Sequence, residues 1–304
     1  MKVKVSVVMT TYNHERYIRK SIESVLMQKV NFNFEILIGD DVSPDNTAKI
    51  LMEYKEKFPN KIKLFLRKEN LGPTKNICDL YNKCSGKYIA TLEGDDYWTD
   101  ENKLQRQVDY LEAHEEYIAT THAVEYFNED NEVFFIDPNL QYDELEGIDK
   151  LIECEKNHLT IGHLQSLVFR NIFPNKKYEE IITCNRFVED LPLKFILLSI
   201  GKIKYLDYVM GRYRNIRKNS TSFSSLDYKK QMEYQLLVWD KINEITNFQY
   251  KDEIDKITNN LRIRCFHIIK DNKQYKKAID YYIKELKLKN KIEIIKHYYN
   301  KCLN

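Results

Sequence analysis

Nowhere in the 304 residues does an uncharged apolar run approach the roughly 18 residues of a membrane-spanning helix. The opening MKVKVSVVMTTYN has only a short apolar run, broken after Met9, which is too short for a signal peptide. The expectation is a cytoplasmic protein that meets a membrane, where it does, peripherally at the inner face of the plasma membrane. Glycine (8) and proline (6) are scarce, which argues against a linker or disordered tail. The six cysteines, Cys78, Cys84, Cys154, Cys184, Cys265 and Cys302, are scattered and form no CxxC pair. That argues against a zinc site or disulfide framework and for reduced thiols. Neither sign of charge dominates: 48 Lys and Arg face 46 Asp and Glu, a net +2, so nothing calls for nucleic acid as partner. GxGxxG and GxxxxGK[ST] are both absent, which closes the dinucleotide and P-loop routes.

What is present is a chain 43% hydrophobic, enough for one large core or a main domain with a smaller one. Residues 3–9 are a short, β-branched run that reads as a buried strand. Over residues 17–28, Ile18, Ile22, Val25 and Leu26 share one helical face. Residues 34–39 read as a second strand ending in Asp40-Asp41, and residues 43–47 as a turn and helix cap. A helix over 48–58, a strand over 62–66, a helix over 74–84 and a strand over 88–92 follow, the last running into Glu93-Gly94-Asp95-Asp96. This β-α-β-α-β-α-β order predicts a parallel sheet with helices on both faces. Ligands of such sheets sit outside the carboxyl ends of the strands. Three polar clusters fall there: residues 10–13, Asp40 with Asp41, and residues 93–96. Further on, residues 103–113 and 190–200 read as helices, and 119–127, 132–136 and 164–170 as strands. Beyond Leu226 the pattern is helical.

A nucleoside diphosphate concentrates negative charge that a protein meets with backbone N–H groups, cations, or a divalent metal held by carboxylates. Mg²⁺ or Mn²⁺ takes a few carboxylate oxygens together with phosphate oxygens and water. Asp95 and Asp96, with Glu93 nearby, offer that anchor, and Tyr12 and Asp41 at neighbouring strand ends suit a base and ribose. The runs VSVVMTTYNHERYIRKSIESVL, EILIGDDVSPDNT, ENLGPTKN and GKYIATLEGDDYW, in this order and spacing over about 110 residues, resemble the signature segments of family 2 glycosyltransferases. The resemblance implies a GT-A fold, a Rossmann-like mixed sheet flanked by helices. It also implies an inverting, nucleotide-sugar-dependent enzyme, with a UDP-sugar as donor and a glycan or lipid-linked acceptor.

Residue by residue, the resemblance implies that Thr10 and Tyr12 contact the nucleotide, the ring packing on the base. Asp41 matches the acceptor for the uracil N–H, Asp40 a residue supporting its loop, and Lys75 a position commonly held by an Arg facing the donor. Asp95 and Asp96 fall on the metal motif, whose first position is Glu93 here. The segment NRFVEDLP matches the family's catalytic Glu-Asp, which makes Asp190 the candidate base and Glu189 its alternative. A helix N-terminus favours a carboxylate there, although an N-cap alone would also explain Asp190. Ser166 matches a segment on the acceptor side. GRYRNIRKNSTS resembles the family's Tyr-Arg element without the His that commonly follows, leaving Arg214, Arg217 or Lys218 to meet diphosphate charge.

Other features carry plainer readings. His122 and His163 stand alone and read as structural, and Trp98 faces either the donor sugar or the packing beneath its loop. Residues 225–304 carry 17 Lys and Arg against 11 Asp and Glu, and 275–288 (YKKAIDYYIKELKL) resembles half of a helical hairpin repeat. The reading is thus a glycosyltransferase domain over 1–222, with a nucleotide half to 110 and an acceptor half beyond. A helical region over 223–304 would serve for docking to a membrane or a second copy, or simply present a solvated basic face. A sugar nucleotidyltransferase would need a Gly-rich loop after the first strand, where TTYNHERY stands. A receiver domain carries its acidic pair after the first strand rather than after the second and fourth. A catalytically inactive nucleotide-binding scaffold of the same fold remains the rival without such a mismatch.

Overall fold

The computed structural model describes residues 2–128, 133–136, 142–157, 162–174, 176–214 and 226–271, with backbone alone for 128, 133–136 and 266–271. Arg217, Lys218 and the 275–288 stretch lie outside the described residues. The chain separates into two compact units, Met1–Leu226 and Asp227–Asn304.

The first unit begins with the alternation read above: β1 (Val5–Thr11), α1 (Ile18–Leu26), β2 (Phe34–Asp40), α2 (Thr47–Lys57), β3 (Ile62–Leu66), α3 (Pro73–Tyr81) and β4 (Tyr88–Glu93). It continues through β5 (Tyr97–Trp98), α4 (Lys103–Ala113), β6 (Tyr117–Asn128), β7 (Val133–Ile136), β8 (Glu144–Leu145) and α5 (Gly147–Lys156). A 3₁₀ turn at Leu164–Ser166, β9 (Val168–Arg170), α6 (Glu179–Ile182), α7 (Asp190–Ile200) and β10 (Lys202–Arg214) complete it. The second unit holds α8 (Tyr228–Ile245) and α9 (Lys251–Asp271), where Met232 and Cys265 pack together.

The strands form one mixed sheet in the order β3-β2-β1-β4-β9-β6-β10-β5, with β7 beside β6 and β8 beside β10. β1, β2, β3 and β4 run parallel, Val7 standing opposite Ile36 on one side and Ala90 on the other. β1, β2 and β4 read as largely apolar runs because both faces are covered, while β3 at the sheet edge is partly exposed. On one face Val5, Val7 and Met9 pack with Ile18, Ile22 and Val25 of α1, Leu51 of α2, and Leu104 and Val108 of α4. α3 covers the other face, where Tyr81 stacks on Phe173 with ring centroids 4.5 Å apart. A fully buried aliphatic side chain contributes roughly 1.5–3 kcal/mol, so the sheet centre is a rigid base for its strand ends.

Beyond β4 the sheet departs from the parallel expectation. β9 runs antiparallel to both β4 and β6, and the strand read over 164–170 is a 3₁₀ turn followed by three strand residues. β10 pairs in parallel with β6 through three register shifts. Among the described residues, no helix is long and apolar enough to cross a membrane.

Two strand ends facing the carboxyl edge turn through positive φ without glycine: Asn13 at 62° after β1 and Val42 at 65° after β2. Asn tolerates this region, whereas a β-branched residue does not. Val42 is also 42% exposed, so little packing holds it there. Val42→Asn is therefore expected to raise stability by about 1 kcal/mol, read as a higher urea midpoint with unchanged m-value.

Candidate active site

At the carboxyl edge of β1, β2 and β4 lies a cleft of about 300 Å³. Its walls are Thr10, Thr11, Tyr12 and His14 after β1, Asp41 after β2, and Glu93 and Asp95 after β4. Asn70, Gly72, Pro73 and Asn76 close one side, and Arg186, Phe187 and Glu189 another. The three polar clusters separated in sequence thus meet in one crevice.

Each wall is built by hydrogen bonds between loops. The Asp41 carboxylate accepts from the Leu71 N–H at 2.7 Å and the Gly72 N–H at 2.8 Å, which ties the 70–72 loop to the end of β2. Each oxygen keeps a second lone pair, so a nucleobase N–H would share Asp41 with this loop. Gly72 has φ +84°, and a Cβ there would stand 2.8 Å from the Arg186 Cγ. Glycine is required both by the turn and by the close passage of Arg186. Asp40 turns away from the cleft and accepts from the Ser43 N–H and hydroxyl, supporting its own loop. Asp45 accepts from the Thr47 N–H at the entry to α2 and from the Glu15 N–H, joining the loops after β1 and β2.

The acidic loop divides its carboxylates. Asp95 opens to the cleft, its side chain 18% exposed and 3.8 Å from His14 Nε2. Glu93 also lines the cleft; burial and then the charges of Asp96 and Asp95 push its carboxyl well above the usual carboxylate range. Asp96 departs from the metal role read for it. It is 1% exposed, accepts from the Arg214 N–H at 2.8 Å and from Gln165 Nε2 at 3.0 Å, and is raised by burial and by Asp95. Its carboxylate joins β10 and the 3₁₀ turn to the acidic loop and, unlike that of Asp41, does not line the cleft.

Asp96→Asn is accordingly expected to stay within about 1 kcal/mol of wild-type stability and to keep donor turnover. Asn retains an acceptor for Arg214, and Gln165, whose Oε1 has no partner, turns its amide to meet the new NH₂. A urea melt with a donor-hydrolysis assay checks this; lost turnover in a folded variant would return Asp96 to the metal.

Several expected contacts fall elsewhere. Lys75 is exposed on α3 and does not line the cleft; Arg186 is the cation that does, its guanidinium 3.4 Å from the Asn70 carbonyl. Ser166 is fully buried behind it, its hydroxyl bonded to Thr121 and to the His163 carbonyl. Arg214 is buried beneath the acidic loop, with Nε donating to the Asp95 carbonyl and the guanidinium 4.5 Å from the Tyr17 ring centre. Trp98 is packed under the loop, its Nε1 donating to the Gln165 carbonyl. His122 is fully buried, with Nδ1 against the Ala123 carbonyl.

Glu189 and Asp190 stand at the start of α7 with opposite electrostatics. Glu189 lines the cleft, and burial followed by repulsion from Asp190 pushes its carboxyl up to about 8. Partial burial also works against charge on Asp190, but Lys194, whose Nζ lies 3.1 Å from Oδ2, outweighs it and holds that carboxyl below its ordinary value. Burial and Asp190 thus favour the protonated form of Glu189, while Lys194 favours the ionised form of Asp190. His14 and Arg186 were not singled out in the sequence; both sit inside segments quoted above, and their signal is an imidazole and a guanidinium amid a carboxylate-rich cleft.

The residues present fit a divalent cation in part. Among the described residues, no three His, Cys, Asp or Glu side chains are grouped to hold a metal. Beside Asp95, however, Thr11 Oγ1 and His14 Nδ1 are buried without partners among the described residues, so polar capacity there is unmet by them. That fits Mg²⁺ or Mn²⁺ held at Asp95, with Glu93 close by and the remaining oxygens from diphosphate and water.

Comparison with known proteins bears on the fold and the family. An uncharacterized Mycobacterium tuberculosis protein is 40% identical over 125 residues, covering 41% of this chain and 36% of its own length. The minor teichoic acid biosynthesis protein GgaB of Bacillus subtilis is 25% identical over 254 residues, covering 81% of this chain and 27% of its own length. This chain thus covers about a third or less of either relative. Among solved structures, S. aureus TarS 1-349 in complex with UDP-GlcNAc superposes with a TM-score of 0.61 at 19% identity, over 94% of this chain and 77% of that one. Mannosyltransferase PcManGT from Pyrobaculum calidifontis, in complex with GDP-Man and Mn2+, gives 0.55 at 13% identity, over 100% and 81%. These likenesses establish the GT-A fold. Residues 6–172, which span β1 to β9 and so bring together most of the cleft, match Glycosyl transferase family 2, and the chain belongs to that family.

Proposed function

We propose that this protein is an inverting glycosyltransferase that moves a hexosyl or N-acetylhexosaminyl group from a UDP-sugar to a hydroxyl of a glycan or lipid-linked acceptor in bacterial surface polysaccharide synthesis. The observation that carries the reading is the single cleft in which Tyr12, Asp41, Glu93, Asp95 and Glu189 converge. Similarity to GgaB and to TarS supports the polymer class and the uridine donor.

In this reading Thr10 and Tyr12 receive the nucleoside, and Asp41, fixed by two loop amides, accepts from the base. Arg186 meets donor charge at the rim. Asp95, with Glu93, would hold a Mn²⁺ or Mg²⁺ ion, which when bound supplies positive charge to the departing diphosphate. Asp190 is the base, because a base must be ionised at the working pH and Lys194 keeps it so. Burial and the Asp190 charge favour the protonated form of Glu189, which cannot act as a base. Asp190 removes the acceptor hydroxyl proton as that oxygen attacks the anomeric carbon, and one displacement inverts configuration there. We assign any peripheral membrane or homo-oligomer contact to the C-terminal helices.

The test is a screen of nucleotide sugars for donor hydrolysis with Mn²⁺, Mg²⁺ or chelator. Release of UDP, dependent on metal, is the expected result. Pyrophosphate formed from a nucleoside triphosphate and a sugar phosphate, or nucleotide binding without turnover of any donor, would overturn the reading.

A further inference from the structure

We propose that His14 is a second protein ligand, beside Asp95, for the divalent cation, and that Thr11 holds its ring in the ligating tautomer. This deepens the metal-assisted reading given above and rests on it. The case starts from the backbone. Asn13, at φ 62°, swings the chain out of β1, and three successive amides are then pinned by one opposing loop. The Asn13 N–H donates to Ser43 Oγ at 3.0 Å, the His14 N–H to Thr47 Oγ1 at 2.9 Å and the Glu15 N–H to Asp45 Oδ2 at 2.9 Å. His14 is therefore set on a built turn.

The ring points at Asp95. Nε2 lies 3.8 Å from Asp95 Oδ2, too far for a hydrogen bond. It is close to the separation of about 3–4 Å that two ligands take around one cation with bonds near 2.1–2.2 Å. On the ring's other side Nδ1 is buried without a partner among the described residues, and so is Thr11 Oγ1, on a residue 3% exposed that lines the same cleft. Both atoms lie 2.9 Å from the point where a Cβ on Gly94 would stand, so the glycine leaves a small polar gap between them. Orphaned buried polar atoms are costly and call for an explanation. A ligating imidazole gives one: Nε2 faces the metal, while Nδ1–H donates to a neighbouring oxygen that fixes the tautomer. Across the gap the Thr11 hydroxyl, which has no partner among the described residues, is the oxygen placed to accept that proton once the ring ligates. A nitrogen ligand also favours Mn²⁺ over Mg²⁺.

The experiment uses the full chain with UDP and Mn²⁺ and reads binding and spectroscopy rather than turnover. Electron spin echo modulation of bound Mn²⁺ is expected to show a directly coordinated ¹⁴N in the wild type and none in His14→Gln. Mn²⁺ affinity with UDP present should fall roughly 10–100-fold in His14→Gln, with a smaller change for Mg²⁺. Thr11→Val should weaken Mn²⁺ binding several-fold while keeping the nitrogen coupling. Mn²⁺ bound at a carboxylate with no ¹⁴N coupling in the wild type would sink this inference alone. Failure of Mn²⁺ to bind at all with UDP would sink it together with the metal-assisted reading. The wild-type spectrum decides even where a variant does not fold.

Discussion

With Asp190 replaced by asparagine, transfer to the acceptor is expected to fall roughly 10²–10⁴-fold while UDP-sugar still binds and the melting temperature hardly moves. Asp190 sits in the first turn of α7 with its side chain 49% exposed, so losing its charge removes little packing. What it removes is the carboxylate of the pair whose charge Lys194 favours. Comparing kcat for transfer with donor affinity by calorimetry separates the two roles, and normal transfer would move the base elsewhere. The neighbouring lysine supplies a second readout. Lys194 is what holds the Asp190 carboxyl low, so Lys194→Met must raise it. The acid limb of the kcat/KM profile then shifts to higher pH, because rate is lost as pH falls through that value. Glu189→Gln should leave that limb in place, since its carboxyl, up at about 8, already carries its proton there.

The second large effect is expected at Asp95. Asp95→Ala should cost at least roughly 10²–10³ in donor turnover and abolish its response to Mn²⁺, with the fold intact. Among the described residues the side chain makes one long contact, to His14 at 3.8 Å, so its removal strands no buried partner there. The backbone carbonyl that Arg214 Nε uses is unchanged by the substitution. Full activity in this variant would overturn the metal assignment. Paired with Asp96→Asn, the experiment distinguishes the carboxylate that opens to the cleft from the one that braces the loop behind it.

The first half of the fold was legible because its strands are buried on both faces and its helices carry a 3.6-residue stripe. Residues 62–66 and 103–113 were read to the residue. β10 was not. Its sequence, KIKYLDYVMGRYR, has no clean alternation, and the structure shows why: three register shifts against β6 break the period-two pattern. The antiparallel placement of β9 follows from long-range pairing that no local pattern records. At the site, the positions of Tyr12, Asp41, Glu93 and Asp95 followed from strand ends meeting at one edge. The sequence does not show which carboxylates turn inward, because Asp95 and Asp96 differ only in which side of the loop each faces. Lys103 makes the same point: no local pattern marks it as buried, yet it is fully buried, with Nζ on Gln107 Oε1 at 2.7 Å and 4.1 Å from the Trp98 ring centre.

The seam between the nucleotide side and the base-bearing side has a mechanical consequence. Thr74 Oγ1 donates to the Asn185 carbonyl at 2.6 Å, and Arg186 reaches across to Asn70. Segments more than a hundred residues apart in the chain are thereby stitched at the very mouth of the crevice. Such a hem resists gaping, so incoming substrate meets jaws already set at their working span, and little ordering entropy is left to be lost on docking.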